Sequence, residues 1–178
     1  MKKLLCVALI ACCLSASAQI RKTKRVSRHS VHIWGDDFEG VVFTEKYKEW
    51  NTIERKSINP TVNDIELAEA CLREGIDTLV IRQTYPYSKQ IEYADSVKKW
   101  LIPPLECYVR QYFEYCNKKG EKIIYINCFH QYSHFYLGDK KEWLNHLFFV
   151  YDGGRTYWRV KINLNTMQLF DFEMNGDG

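Results

Sequence analysis

The stretch "TYWRVKINLNTMQLFDFEMN", residues 156–175, holds two runs in which every second side chain is apolar. Trp158, Val160, Ile162 and Leu164 alternate with Tyr157, Arg159, Lys161 and Asn163; Phe170, Phe172 and Met174 alternate with Asp171, Glu173 and Asn175. A strand sends successive side chains to opposite faces, so this period of two predicts two strands, each with one buried and one wet face. With a three-residue loop at Asn165, Thr166 and Met167, Arg159 opposes Glu173 and Lys161 opposes Asp171, while Trp158 opposes Met174 and Ile162 opposes Phe170. A slip of one residue would bury the charges, so both faces specify this register.

The same period runs through the segment before it. "CYVRQYFEYC" (107–116) and "EKIIYINCFH" (121–130) read as a second hairpin around "NKKG" (117–120). A tight turn centred on Lys118 and Lys119 sets Cys116 opposite Glu121 and places Val109, Phe113, Ile124, Ile126 and Cys128 on the core side. The reverse side then gathers Tyr108, Arg110, Tyr112, Tyr125, Asn127 and Phe129. Rings beside a planar cation and an amide suit binding of a glycan, a peptide or an envelope protein. Such a face equally suits packing beneath a loop, or a homodimer formed through the sheet. "HLFFVYD" (146–152) reads as one more strand, joined to the next by a two-residue turn at Gly153-Gly154. Phosphate-cradling glycines lead from a strand into a helix, and these lead into a strand, so the pair reads as a turn.

Upstream the period becomes helical. In "NPTVNDIELAEACLREG" (59–75) Pro60 stands at a helix start, Ile65, Ala68 and Leu72 share a face that Leu67 and Cys71 widen, and Gly75 offers a stop, which predicts a helix over 61–74. "IDTLVIRQTYPY" (76–87) fits either a short strand or a continuation of that helix. Tyr93, Val97, Trp100 and Leu101 predict a second helix over 89–101, closed by Pro103-Pro104. "GVVFTEKY" (40–47) reads as a short strand. Residues 31–178 are thus expected to form a single α+β domain, with one or two helices packed on a curved antiparallel β-meander.

The first eighteen residues have two lysines, an apolar run from Leu4 to Leu14 and small residues at Ala16, Ser17 and Ala18, the order of a secretory signal peptide cut before Gln19. The run is too short to span a bilayer, so no transmembrane segment is expected and the location is periplasmic or extracellular. Leu9-Ile10-Ala11-Cys12 offers the alternative of a lipoprotein anchored at Cys12. The chain has 25 basic and 22 acidic residues, and removing Lys2 and Lys3 leaves 23 against 22. Residues 19–30, "QIRKTKRVSRHS", hold five of the bases and no acid, leaving 18 bases against 22 acids in the rest. This basic arm is expected to be disordered, or to serve as a tether to anionic lipid headgroups or polysaccharide. Without a folded basic patch, nucleic acid is not an expected partner.

Reactive chemistry has little support. Cys128, His130 and His134, with Asp139 nearby, form the most metal-like cluster, and a hydrolase or metal-assisted enzyme would be built there. No second cysteine lies at ligand spacing, and no nucleophile elbow or zinc-protease helix is present, so no cofactor and no catalytic residue is expected. Cys71, Cys107, Cys116 and Cys128 follow the signal, and their pairing is open; the expected hairpin brings Cys107 diagonal to Cys128.

The order of elements resembles the cystatin-like and NTF2-like architectures, in which a helix lies across a curved sheet. On "CLSASAQ", "YVRQYFEYCNKKGEKIIYIN", "YDGGRTYWRVKINLNT" and the terminal "MNG", the chain also resembles small uncharacterised exported proteins of Bacteroides-type bacteria. That resemblance covers about the last 75 residues and implies a compartment and a fold. Together these readings point to a non-enzymatic binding or interaction module of the cell envelope.

Overall fold

The computed structural model describes residues 18–48, 56–84, 104–132 and 141–176. The elements are β1 (Ile20–Arg25), β2 (Ser30–Gly35), β3 (Glu39–Phe43), β4 (Lys56–Ile58), α1 (Val62–Thr84), β5 (Tyr108–Cys116), β6 (Lys122–His130), β7 (Tyr157–Asn163) and β8 (Gln168–Met174). All eight strands join one open, curved sheet in the order β1-β2-β3-β5-β6-β7-β8, with β4 on the far end of β5. Among the described residues every pairing is antiparallel except β3 with β5. Among the described residues one helix lies on one face of the sheet, so the fold is α+β. No described helix is long and apolar enough to cross a membrane. Residues 1–17 of the expected signal segment (1–18), Cys12 included, and the expected helix over 89–101 lie outside the described residues.

Residues 19–30 are not a disordered arm. Ile20–Arg25 pairs with β2, and Ser30, which opens β2, is fully buried. A ladder is made by backbone groups, so a strand of bases can hold an edge position while its side chains stay in water. Ile20 N–H also donates to Glu66 of α1 at 2.9 Å, tying the strand to the helix.

The helix begins with a capping box: Thr61 N–H donates to Asp64 Oδ2 (3.0 Å) and Asp64 N–H donates to Thr61 Oγ1 (3.1 Å). Ile65, Ala68, Leu72, Ile76 and Val80 form its buried stripe. Gly75 does not stop it, and residues 76–84 continue the helix. A Cβ at Gly75 would meet Leu169 Cδ1 at 2.7 Å, so the glycine marks where α1 passes close over β8.

The β5–β6 hairpin is one residue out of the expected register: Cys116 faces Lys122. Asn117 N–H donates to Glu121 O (3.0 Å), Gly120 N–H donates to Asn117 O (2.9 Å), and Gly120 has φ +77°. That is a three-residue loop ending in a left-handed glycine, which adds one residue to the assumed two-residue turn. As a result Tyr108, Arg110, Tyr112 and Glu114 share the helix side with Ile124, Ile126 and Cys128, while Val109, Gln111 and Phe113 face the other way with Tyr125, Asn127 and Phe129.

In the C-terminal hairpin Trp158 faces Met174 and Arg159 faces Glu173, as expected. Beyond them the register shifts, with Lys161 opposite Phe170 and Ile162 opposite Leu169, because the loop has four residues and Asp171 bulges at φ +49°. Arg159 still pairs with Glu173 and Lys161 with Asp171. The shift puts Leu169 inside and turns Phe170 outward beside Lys161.

"HLFFVYD" is not a strand. Both sides of β7 are already taken by β6 and β8, so this segment instead crosses the outer sheet face as a strap. Leu147 and Phe148 pack on Val109, Phe113, Tyr125, Phe129 and Trp143. Gln111 and Asn127 hold the strap in place. Gln111 Nε2 donates to Trp143 O (2.7 Å) and His146 O (2.8 Å), Phe148 N–H donates to Gln111 Oε1 (2.8 Å), and Asn127 Nδ2 donates to Phe148 O (2.7 Å). Gly153 (φ +92°) and Gly154 (φ +50°) take the left-handed values of a turn, but they deliver the strap into β7 through a short 3-10 turn and do not close a hairpin.

At Gly40 in β3 a Cβ would lie 2.6 Å from Arg110 O and 2.7 Å from the Tyr112 ring. Gly40→Ala is therefore expected to cost about 2 kcal/mol, read as a lower urea midpoint with unchanged slope. An unchanged midpoint would show that β3 and β5 separate freely.

Candidate functional site

The six residues expected to form one recognition face do not come together. Tyr108, Arg110 and Tyr112 lie under α1, whereas Tyr125, Asn127 and Phe129 lie on the opposite face near the strap, and all six are buried. The hairpin register divides them, because a shift of one residue exchanges the faces of one strand relative to its neighbour.

Under the helix they serve a charged core. Arg110 and Glu69 are both 0% exposed, with Arg110 Nε 3.2 Å from Glu69 Oε1. Arg110 Nη2 donates to Leu105 O at 3.0 Å, and Tyr112 donates its hydroxyl to Glu69 Oε1 at 2.8 Å. Arg73 of α1 reaches Glu69 Oε2 (3.2 Å) and grips Asp37 through two 2.7 Å hydrogen bonds. Burial pushes the Tyr112 hydroxyl well above its ordinary range. The cluster joins helix, sheet and the β2–β3 turn; its Arg110–Glu69 centre is fully buried, while its Arg73–Asp37 end reaches the surface.

The metal-like cluster also disperses. Cys128 is fully buried, and burial pushes its thiol far up. His130, at the end of β6, stands edge-on to Tyr108 at 5.8 Å, and burial lowers its pKa. His134 and Asp139 lie outside the described residues. Among the described residues no three His, Cys, Asp or Glu side chains are placed to hold a metal. Cys71, Cys107, Cys116 and Cys128 carry free thiols. Burial raises Cys71 to about 11, the wrong direction for a nucleophile.

Exposed rings gather elsewhere, at the outer face of β7 and β8. Phe149 is 50% exposed and Tyr151 90%, with centroids 5.1 Å apart and edge-on. The Arg159 guanidinium lies 5.7 Å from the Phe149 ring and pairs with Glu173. Two residues on, Lys161 Nζ lies 6.0 Å from the Phe170 ring and 2.7 Å from Asp171. Residues two apart on a strand share a face about 6.6 Å apart, so the two units of ring, cation and carboxylate repeat side by side. Asn175 fixes the adjoining strap by donating Nδ2 to Val150 O (2.7 Å) and Asp152 O (3.1 Å).

Reading 146–152 as a paired strand hid Phe149 and Tyr151. The available signal was Phe148-Phe149, two large rings in succession, which breaks alternation where one side chain packs inward and the next faces water. Neither a protein-family model, nor a curated protein, nor a solved structure matches this chain.

Proposed function

We propose that the protein is a non-enzymatic binding module of the cell envelope, exported by its N-terminal segment, whose ligand is a glycan held on the outer face of β7 and β8. The exposed pair Phe149 and Tyr151, flanked by the paired charges of Arg159 and Glu173, carries this reading. A sugar offers an apolar C–H face and a rim of hydroxyls. The C–H face stacks on an exposed ring, while a guanidinium and a carboxylate already locked together donate and accept at the hydroxyls without reorganising. A protein partner needs a broader apolar centre, and here the rings are hemmed in by ions.

The test is co-sedimentation with isolated bacterial cell-wall glycan. Wild-type protein is expected in the pellet, and Phe149→Ala with Tyr151→Ala should lower retention about tenfold while the melting temperature stays within about 2 °C. No retention of the wild type, or equal retention of the double variant, rejects the reading.

A further inference from the structure

We infer that β1, at the rim opposite β8, is a docking rail for a linear acidic polysaccharide, a surface separate from the ring-bearing face. Arg21, Lys22, Lys24 and Arg25 are all exposed on this one strand. Its pairing with β2 turns what would be a floppy charged leader into an extended rim about 13 Å long from Arg21 to Arg25, with a bulge between Ile20 and Lys22, Lys22 and Lys24 on one sheet face and Arg25 on the other.

Several of the cations are held in place before any ligand arrives. Arg21 makes a two-pronged contact with Asp36 at 2.9 and 2.8 Å. Lys22 Nζ sits 5.0 Å from the Trp34 ring. Arg25 donates to Ser27 O and Arg28 O, each at 3.1 Å, which braces the β1–β2 turn. Side chains fixed in this way lose less entropy when they bind.

Charge sets the direction of binding. Outside residues 19–30 and the signal, acids outnumber bases by 22 to 18, and the far rim exposes Asp171 and Glu173. A polyanion is therefore drawn to β1 and finds no net positive charge at β8, where Asp171 and Glu173 are paired with Lys161 and Arg159. A row one strand wide matches a single extended polymer better than a planar bilayer. Single-stranded nucleic acid needs a series of exposed rings for its bases to stack on, and β1 has no aromatic side chain, the neighbouring Trp34 being half-buried beside Lys22.

The probe is immobilised polygalacturonate at about 50 mM salt, where exposed charges act beyond 10 Å. The wild type should bind, and Lys22→Gln with Lys24→Gln should weaken binding about tenfold. Lys118→Gln with Lys119→Gln, which removes the same charge from the exposed β5–β6 turn, should bind like the wild type. Phe149→Ala with Tyr151→Ala should also bind like the wild type, which separates this surface from the one proposed above. Four results would overturn the inference: no wild-type binding, equal loss in both lysine pairs, preference for anionic vesicles or single-stranded DNA over polygalacturonate, or a β1 variant that keeps full binding but self-associates. The last would mean that the bases only guard an open sheet edge.

Discussion

An Arg110→Ala variant is expected to lose about 4 kcal/mol of stability, a large share of what a domain of this size has. Deleting one partner of a fully buried pair strands the other, and Glu69, which is 0% exposed, cannot reach water without pulling α1 off the sheet. Glu69→Ala should fall at least as far, because Tyr112 and Arg73 lose the same acceptor. Replacing both members, Glu69→Met with Arg110→Met, should recover at least half of the loss, since an apolar pair of similar volume needs no compensation. Urea unfolding of the three variants measures this. A drop below about 1 kcal/mol for Arg110→Ala would show that the guanidinium reaches solvent in the native state.

The second large effect concerns pH. Glu114, 1% exposed, projects from β5 beneath the start of α1, and among the described residues neither carboxylate oxygen has a hydrogen-bond donor in good geometry. Lys122 Nζ stands 3.4 Å away but is engaged by Asp64, 2.9 Å from each of its oxygens. Burial, reinforced by the Asp64 charge, raises Glu114 to about 7. Because the folded value lies above the unfolded one, folding favours the protonated form. That contribution is complete below the ordinary carboxylate range and is lost as pH rises through about 7. Between pH 5 and pH 8.5 the wild type should therefore lose about 2 kcal/mol, or about 6 °C in melting temperature, more than Glu114→Gln does. Parallel melting curves for the two proteins would refute this account.

The sequence made the C-terminal strands legible because alternation there coincides with opposed charges. Trp158, Val160 and Ile162 are buried as expected, and Arg159 meets Glu173. It was misleading wherever one residue of turn geometry decided the outcome. Gly120 and Asp171 each adopt a left-handed backbone, and each shifts a register that composition cannot distinguish from its neighbour. The hairpin shift matters most, since it turned a supposed recognition face into two halves of two cores. The ordered N-terminal strand was illegible for another reason. Its side chains have no apolar period, and its place comes from the free edge of β2, which only the assembled sheet supplies.

The parallel junction of β3 with β5 also governs the order in which the molecule can be built. Residues 39–42 find their neighbours only at 109–112, after β4, the whole helix and the segment that follows it. As the polypeptide is delivered N-terminus first, the first three strands make a ribbon with no surface to rest against, and closing so long an excursion is slow compared with zipping up either hairpin. The C-terminal strands can assemble locally around β6, so maturation hinges on when β5 slots in as the keystone between two separately formed halves.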